Sequence, residues 1–355
     1  MKKLTLLILA CSLSTGFCVE NKKLKIFILA GQSNMQGHCM TSVIENRLED
    51  PKLKVGFEKY HRGGSFVKRD DVSINHIEKK IHGPLSVGYG ATNEKIGPEL
   101  SFGWTIGDKL DEDVLIIKAA WGGKSLFRDF LSPNGRKPND AFMQALEDKA
   151  KKKKEPFSKK EYMQEFGHYY RLMMASVAET LSNLKTYAPN YKDQGYEIAG
   201  FVWFQGYNDK FSDHATSTYQ ENMANFIRDV RKDLKSPMLP FVIGAMGHNG
   251  KAQKGTTKIL ADAQIATAQM PEFKGNVITV KTADFWDYKA AELFNEWRSK
   301  SKKNKNAWPA DEQAKWQAEW NRHGSNKPYH YNGSAMFMAD TGNGLGEAML
   351  KLLKK

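Results

Sequence analysis

The sequence predicts a three-layer α/β/α fold built on a doubly wound, mostly parallel sheet. Three observations predict it. Short apolar runs at Lys25–Ala30, Val114–Ala120, Ile198–Phe204, Leu239–Ala245 and Val277–Val280 are nearly continuous rather than alternating, as in strands covered on both faces. Helical stretches lie between these runs, which is the βαβ alternation of a parallel sheet. The 355 residues are 41% hydrophobic and 26% charged, a globular composition with enough apolar side chains for a sizeable core.

Taken in order, Lys25–Ala30 is the first strand. It runs directly into Gly31-Gln32-Ser33-Asn34-Met35, where the chain turns from strand to helix. Pro98–Leu110 and Tyr162–Leu184 are helices leading into the second and third strands. Ser217–Leu234 leads into the fourth and Lys258–Gln269 into the fifth, while Gly344–Leu353 closes the chain. About five parallel strands result. Right-handed crossovers place the loops that follow them along one edge, where ligands bind in such sheets. Two long stretches interrupt the alternation, 38–96 without a strong period and 286–329 rich in Trp and Lys. Long stretches of this kind are functional or disordered, and the aromatic content of the second predicts packing over the rim of the sheet. Gly342-Asn343-Gly344-Leu345-Gly346 superficially evokes a nucleotide loop, but no strand precedes it.

Residues 1–18 read as a secretory signal. Lys2 and Lys3 form a basic start, and Leu4 to Phe17 is apolar but too short to span a bilayer. Lipidation at Cys11 is the alternative. The remaining 19–355 reads as one domain, exported to the periplasm or the extracellular space. Removing the signal leaves a net charge of +11 and Cys39 as the one cysteine, so no disulfide forms within the chain. Cys39 is expected to pack as a small hydrophobe beside the first loop. The basic balance arises from lysine runs such as Lys151–Lys154 and Lys300–Lys305. Such runs coat solvated surface or attract an anionic polysaccharide. The chain carries no nucleic-acid-binding pattern.

Four short blocks carry the chemistry. Ser33 follows a buried strand beside a glycine, a position that exposes a hydroxyl at the sheet edge, although any serine there also reads as a helix cap. Ala119-Ala120-Trp121-Gly122-Gly123-Lys124-Ser125-Leu126 ends the second strand with a glycine pair that lets backbone approach a substrate. Trp203-Phe204-Gln205-Gly206-Tyr207-Asn208-Asp209 ends the third, and Asn208 from there is suited to donate to an oxyanion. Pro328-Tyr329-His330-Tyr331-Asn332-Gly333-Ser334-Ala335 precedes the last helix. A hydroxyl needs a base near neutral pH, and His330 suits that role. No metal or cofactor is required, because the histidines lack His-Glu-x-x-His spacing and no cysteine pair exists.

The order and wording of these blocks resemble the SGNH hydrolases, within them the sialate O-acetylesterase and acetylxylan esterase branch of carbohydrate esterases. Arg69-Asp70-Asp71-Val72 and Gly97-Pro98-Glu99-Leu100 resemble segments of bacterial members. The resemblance implies a flavodoxin-like sheet and a serine esterase acting on an acetylated carbohydrate. Ser33 is then the nucleophile and His330 the general base. The Ser33 amide, the Gly123 amide (before that of Gly122) and Asn208 form the oxyanion hole, with Gln205 in support. Two departures leave the third member of a triad open. Lys327 stands three residues before the histidine, where many members have Asp, and Tyr207 stands where many acetylxylan esterases have Glu. Asp209 is the nearest candidate acid in sequence, and a Ser–His dyad oriented by a backbone carbonyl is the other arrangement. The rival functions are a catalytically silent carbohydrate-binding protein on the same scaffold and a lipid or thioester hydrolase of the wider superfamily.

Overall fold

The computed structural model describes residues 22–303 and 308–354; residues 1–18, expected to be a secretory signal, and Cys11 among them lie outside these. The central sheet has seven strands: β1 Leu24–Gly31, β2 Val72–His76, β3 Ile81–Pro84, β4 Val114–Ala120, β5 Tyr196–Phe204, β6 Phe241–Ala245 and β7 Val277–Lys281. In space they run β7-β6-β5-β1-β4-β2-β3. All neighbouring pairs are parallel except β2 and β3. The five expected strands are all present. The sheet is wider than expected because the 38–96 stretch contributes β2 and the antiparallel edge strand β3.

Without β2 and β3, the five remaining parallel strands take the flavodoxin-like order, whose switch point lies between the first strand and the next one on its other side. Here that is the crevice between β1 and β5. Gly31 closes β1 there, and a Cβ on it would stand 2.2 Å from the Phe204 carbonyl oxygen, so only glycine lets the two strand ends meet.

Alternate residues of β1 feed two cores. Phe27 and Leu29 pack with helices α1 Thr41–Leu48, α2 Glu99–Gly107 and α3 Ala335–Leu353. Ile26, Ile28 and Ala30 pack on the other face with His168–Ser182, Tyr219–Asp233 and Gly255–Ala268. The last helix starts nine residues earlier than Gly344–Leu353 and absorbs the glycine cluster. A Cβ on Gly342 would stand 2.1 Å from Ser101 Oγ and 2.2 Å from the Pro98 carbonyl oxygen, so this glycine seats α3 directly on α2. The 286–329 stretch forms two helices, Tyr288–Lys303 and Ala310–His323. Cys39 is buried and burial pushes its thiol up, as expected of a packed cysteine rather than a nucleophile.

One charge sits inside the sheet. Lys118 of β4 is fully buried, and its ammonium donates to Glu99 Oε2 at 2.6 Å, to the Tyr89 carbonyl at 2.6 Å and to the Gln36 carbonyl at 2.7 Å. All three donors of the ammonium are therefore used. Glu99 also accepts from the Gly97 amide at 2.8 Å. Lys118→Met strands a buried carboxylate, so unfolding in urea is expected to show a loss of about 3–5 kcal/mol.

Candidate active site

Three strand-end loops meet at the β1/β5 crevice, tied by buried side chains. Gln32 Oε1 accepts from Gln205 Nε2, the Gly206 amide and the Asn208 amide, each at 3.2 Å. Gln205 Nε2 also donates to the Lys124 carbonyl at 2.9 Å and to Asp209 Oδ2 at 2.6 Å. Asp209 completes the tie by accepting from the Leu126 and Phe127 amides, both at 2.9 Å. The loops after β1, β4 and β5 are thus one hydrogen-bonded unit.

This network corrects the expectation for Asp209. Its oxygens are turned inward to two backbone amides and Gln205, and it does not meet the His330 ring. Burial pushes its carboxyl up to about 6, against the pull of those donors. Asp209 is a brace for the glycine loop, not the acid of a triad. Gln205 proves to be a brace as well.

The remaining predicted residues lie around the same crevice. Ser33 opens the short helical turn Ser33–Gln36, and its hydroxyl makes no hydrogen bond among the described residues. Gly122 and Gly123 are exposed. Asn208 Nδ2 donates to the Gly123 carbonyl at 2.5 Å, which leaves its second N–H unused. Tyr207, in the position where many acetylxylan esterases have Glu, packs against His248 with ring centroids 4.7 Å apart.

His330 arrives from the far end of the chain on the turn Pro328–Gly333, which lies against the Ser33–Gln36 turn. Its ring is stacked on His38 with centroids 3.7 Å apart and planes 7° from parallel. The turn is strained. Tyr331 and Asn332 have φ of 52° and 57°, a left-handed conformation costly for a bulky residue. Packing imposes it. Tyr331 is buried, stacked on Phe337 and His248, and its hydroxyl accepts from the Gly247 amide at 3.1 Å. The reversed backbone lets the Asn332 carbonyl accept from the Ser325 and Asn326 amides at 2.8 and 2.9 Å.

That reversal places Asn326 beside the histidine, a residue the sequence motifs did not single out. Asn326 Oδ1 and His330 Nδ1 are 3.0 Å apart. The Lys327 amide donates to the same Oδ1 at 2.8 Å, so this atom is an acceptor and the facing ring nitrogen carries the proton. The Nε2 lone pair of His330 is left free. Burial, with the Lys95 ammonium, holds the imidazole down at about 4, so the ring is neutral at pH 7. His38 is also held down, to about 3, mainly by burial, and its buried Nε2 has no partner among the described residues. Ser33 and His330 are not hydrogen-bonded to each other, a looseness common where no substrate is bound. Among the described residues no group of three His, Cys, Asp or Glu side chains is disposed to hold a metal ion.

A serine turn, an exposed glycine loop and a neutral histidine thus lie around the switch point of an α/β sheet, where ligands bind in such folds. The carbohydrate esterase family described as sialic acid-specific acetylesterase matches residues 23–290. The chain belongs to that family and is a carboxylic-ester hydrolase of the carbohydrate acetylesterase class. The match ends before His330. No curated protein matches the chain. Solved structures similar to it include a protein from Arabidopsis thaliana at 16% identity, over 84% of this chain and 94% of that one, with a TM-score of 0.45. A carbohydrate acetylesterase from Xanthomonas citri aligns at 12% identity over 74% and 51% of the two chains, TM-score 0.42. NanS aligns at 13% over 75% and 78%, TM-score 0.41.

Titration of the His330 ring by NMR is expected to give a midpoint near pH 4. Asn326→Asp places a carboxylate against Nδ1–H. An opposite charge favours the protonated ring, so the midpoint should rise by roughly one to three pH units. An unchanged midpoint would show that residue 326 does not hold the ring in solution.

Proposed function

We propose that this chain is an exported serine esterase that removes O-acetyl groups from sialic acid. The observation that carries the mechanism is the Asn326–His330 pair, which leaves an imidazole neutral, with Nε2 free, on a turn that lies against the one carrying Ser33. His330 Nε2 takes the Ser33 proton as Oγ attacks the acetyl carbonyl carbon. The oxyanion accepts from the Ser33 and Gly123 amides and from the unused N–H of Asn208. The bond to the sugar oxygen then breaks, and His330 returns its proton to that oxygen. Water, deprotonated by the same ring, attacks the acetyl-serine; acetate leaves and Ser33 recovers its proton.

The family supports a sialic acid substrate, and a net charge of +11 once the segment read as a signal is removed favours an anionic glycan. Export rests on Lys2, Lys3 and the apolar run Leu4 to Phe17. The carboxamide, rather than carboxylate, at His330 Nδ1 favours a Ser–His dyad over a triad.

Acetate release from O-acetylated sialic acid and from acetylated xylan decides the substrate, and p-nitrophenyl acetate reports ester cleavage independently of the sugar. Ser33→Ala should abolish turnover of all three; turnover unaffected by that change sinks the mechanism. Asn208→Ala removes one oxyanion donor and should lower kcat about 10²–10³-fold. The kcat/KM of the unaltered protein should hold from pH 8 down through pH 5 and fall only near pH 4, where His330 becomes protonated.

A further inference from the structure

The tryptophan-bearing helices Tyr288–Lys303 and Ala310–His323 lie almost wholly beyond the family match. Between them and the histidine turn is a cavity of about 330 Å³, walled by Trp297, Trp316, Trp320, Phe294, Asn326 and Lys327. That volume falls at the lower end of small-ligand pockets. Trp286, by contrast, is buried in the core under Tyr331.

The lining has a definite chemistry. Trp316 and Trp320 lie with their planes 9° apart, and Trp316 is fixed by its indole N–H donating to the Leu293 carbonyl at 3.0 Å. Trp297 is half-buried, with the Lys327 ammonium 5.5 Å from its ring centre. The polar groups on offer include donors and, at Gln317, a carboxamide oxygen that can accept. Asn326 Nδ2 has no acceptor, and Lys327 no carboxylate partner, among the described residues. Aromatic faces carry negative charge and attract the weakly positive C–H groups on the flat face of a pyranose. Free donors suit the hydroxyl and ring oxygens at its edge.

Asn326 connects this cavity to the reaction, because the carboxamide that walls it is the one that holds His330. We infer that the tryptophan cavity is a second sugar-ring subsite, so that the substrate is an acetylated residue within a glycan rather than a free acetylated monosaccharide. This rests on the esterase reading given above and names the substrate of that same site. The ring bound there is the neighbour of the acetylated one. Its stacking would add binding without touching the reacting ester.

Two matched pairs test it: O-acetylated sialic acid free and at the end of sialyllactose, and O-acetylated xylose against O-acetylated xylotriose. For the sugar that is deacetylated, kcat/KM should favour the longer partner by roughly tenfold, the worth of one good aromatic contact. Trp297→Ala should bring that ratio close to one, and Trp297→Phe, which keeps a stacking face, should restore most of it. Equal rates on both partners for the unaltered protein, or a ratio unmoved by Trp297→Ala, would overturn the subsite. Release of acetate that persists in Ser33→Ala, or none from either sugar, would instead overturn the esterase reading beneath it.

Discussion

Gln32, Gln205 and Asp209 hold the site together from below. Each comes from a loop or turn with no side-chain core of its own, and each is almost wholly withdrawn from water. Buried amide and carboxylate groups are costly unless paired. Here the carboxamide oxygen of Gln32 takes three donors, and Asp209 fastens the glycine loop through two backbone amides. Because the partners come from three loops, none of these loops can shift without leaving a buried polar group unpaired. The Ser33 turn, the Gly122-Gly123 pair and Asn208 are therefore held in mutual register by hydrogen bonds lying beneath the open face of the crevice.

The Lys118–Glu99 pair performs a similar task on the other side of the serine turn. Its ammonium holds the Gln36 carbonyl, at the end of the turn that begins with Ser33. Glu99 opens α2, which packs against α3 through Gly342. The Gly97-Pro98-Glu99-Leu100 block, read in the sequence only as part of a family likeness, thus has a physical role in supplying the counter-charge for a buried lysine.

Five of the seven strands were legible because their side chains are apolar on both faces. Val72–His76 was not. It reads Val-Ser-Ile-Asn-His, yet all five residues are buried, with Asn75 donating to Thr180 Oγ1 at 2.9 Å. Ile81–Pro84 is short, edge-on and contains Gly and Pro, which conceal a strand. Ser33, Gly123, Asn208 and His330 could be singled out because each ends a strand or precedes the last helix. The partner of His330 could not. Asn326 reaches it only because Tyr331 and Asn332 adopt left-handed backbone under the pressure of packing, a conformation that no local preference predicts. Asp209 was misassigned for a related reason: its place in the chain says which loop it occupies, not which way its carboxylate turns.

The contact of α2 with α3 has one more consequence. Ser334, the cap of α3, donates to Asp287 Oδ2 at 2.6 Å and accepts from the Phe337 amide at 3.2 Å, so the segment after His330 passes into a rigid rod. That rod presses on α2, and α2 reaches Gln36 through one ion pair. The first and last portions of the chain are thereby clamped across a span of nearly three hundred residues. The entropic cost of bringing them together is met during folding, so the Ser33 and His330 turns are already in place before any ligand arrives.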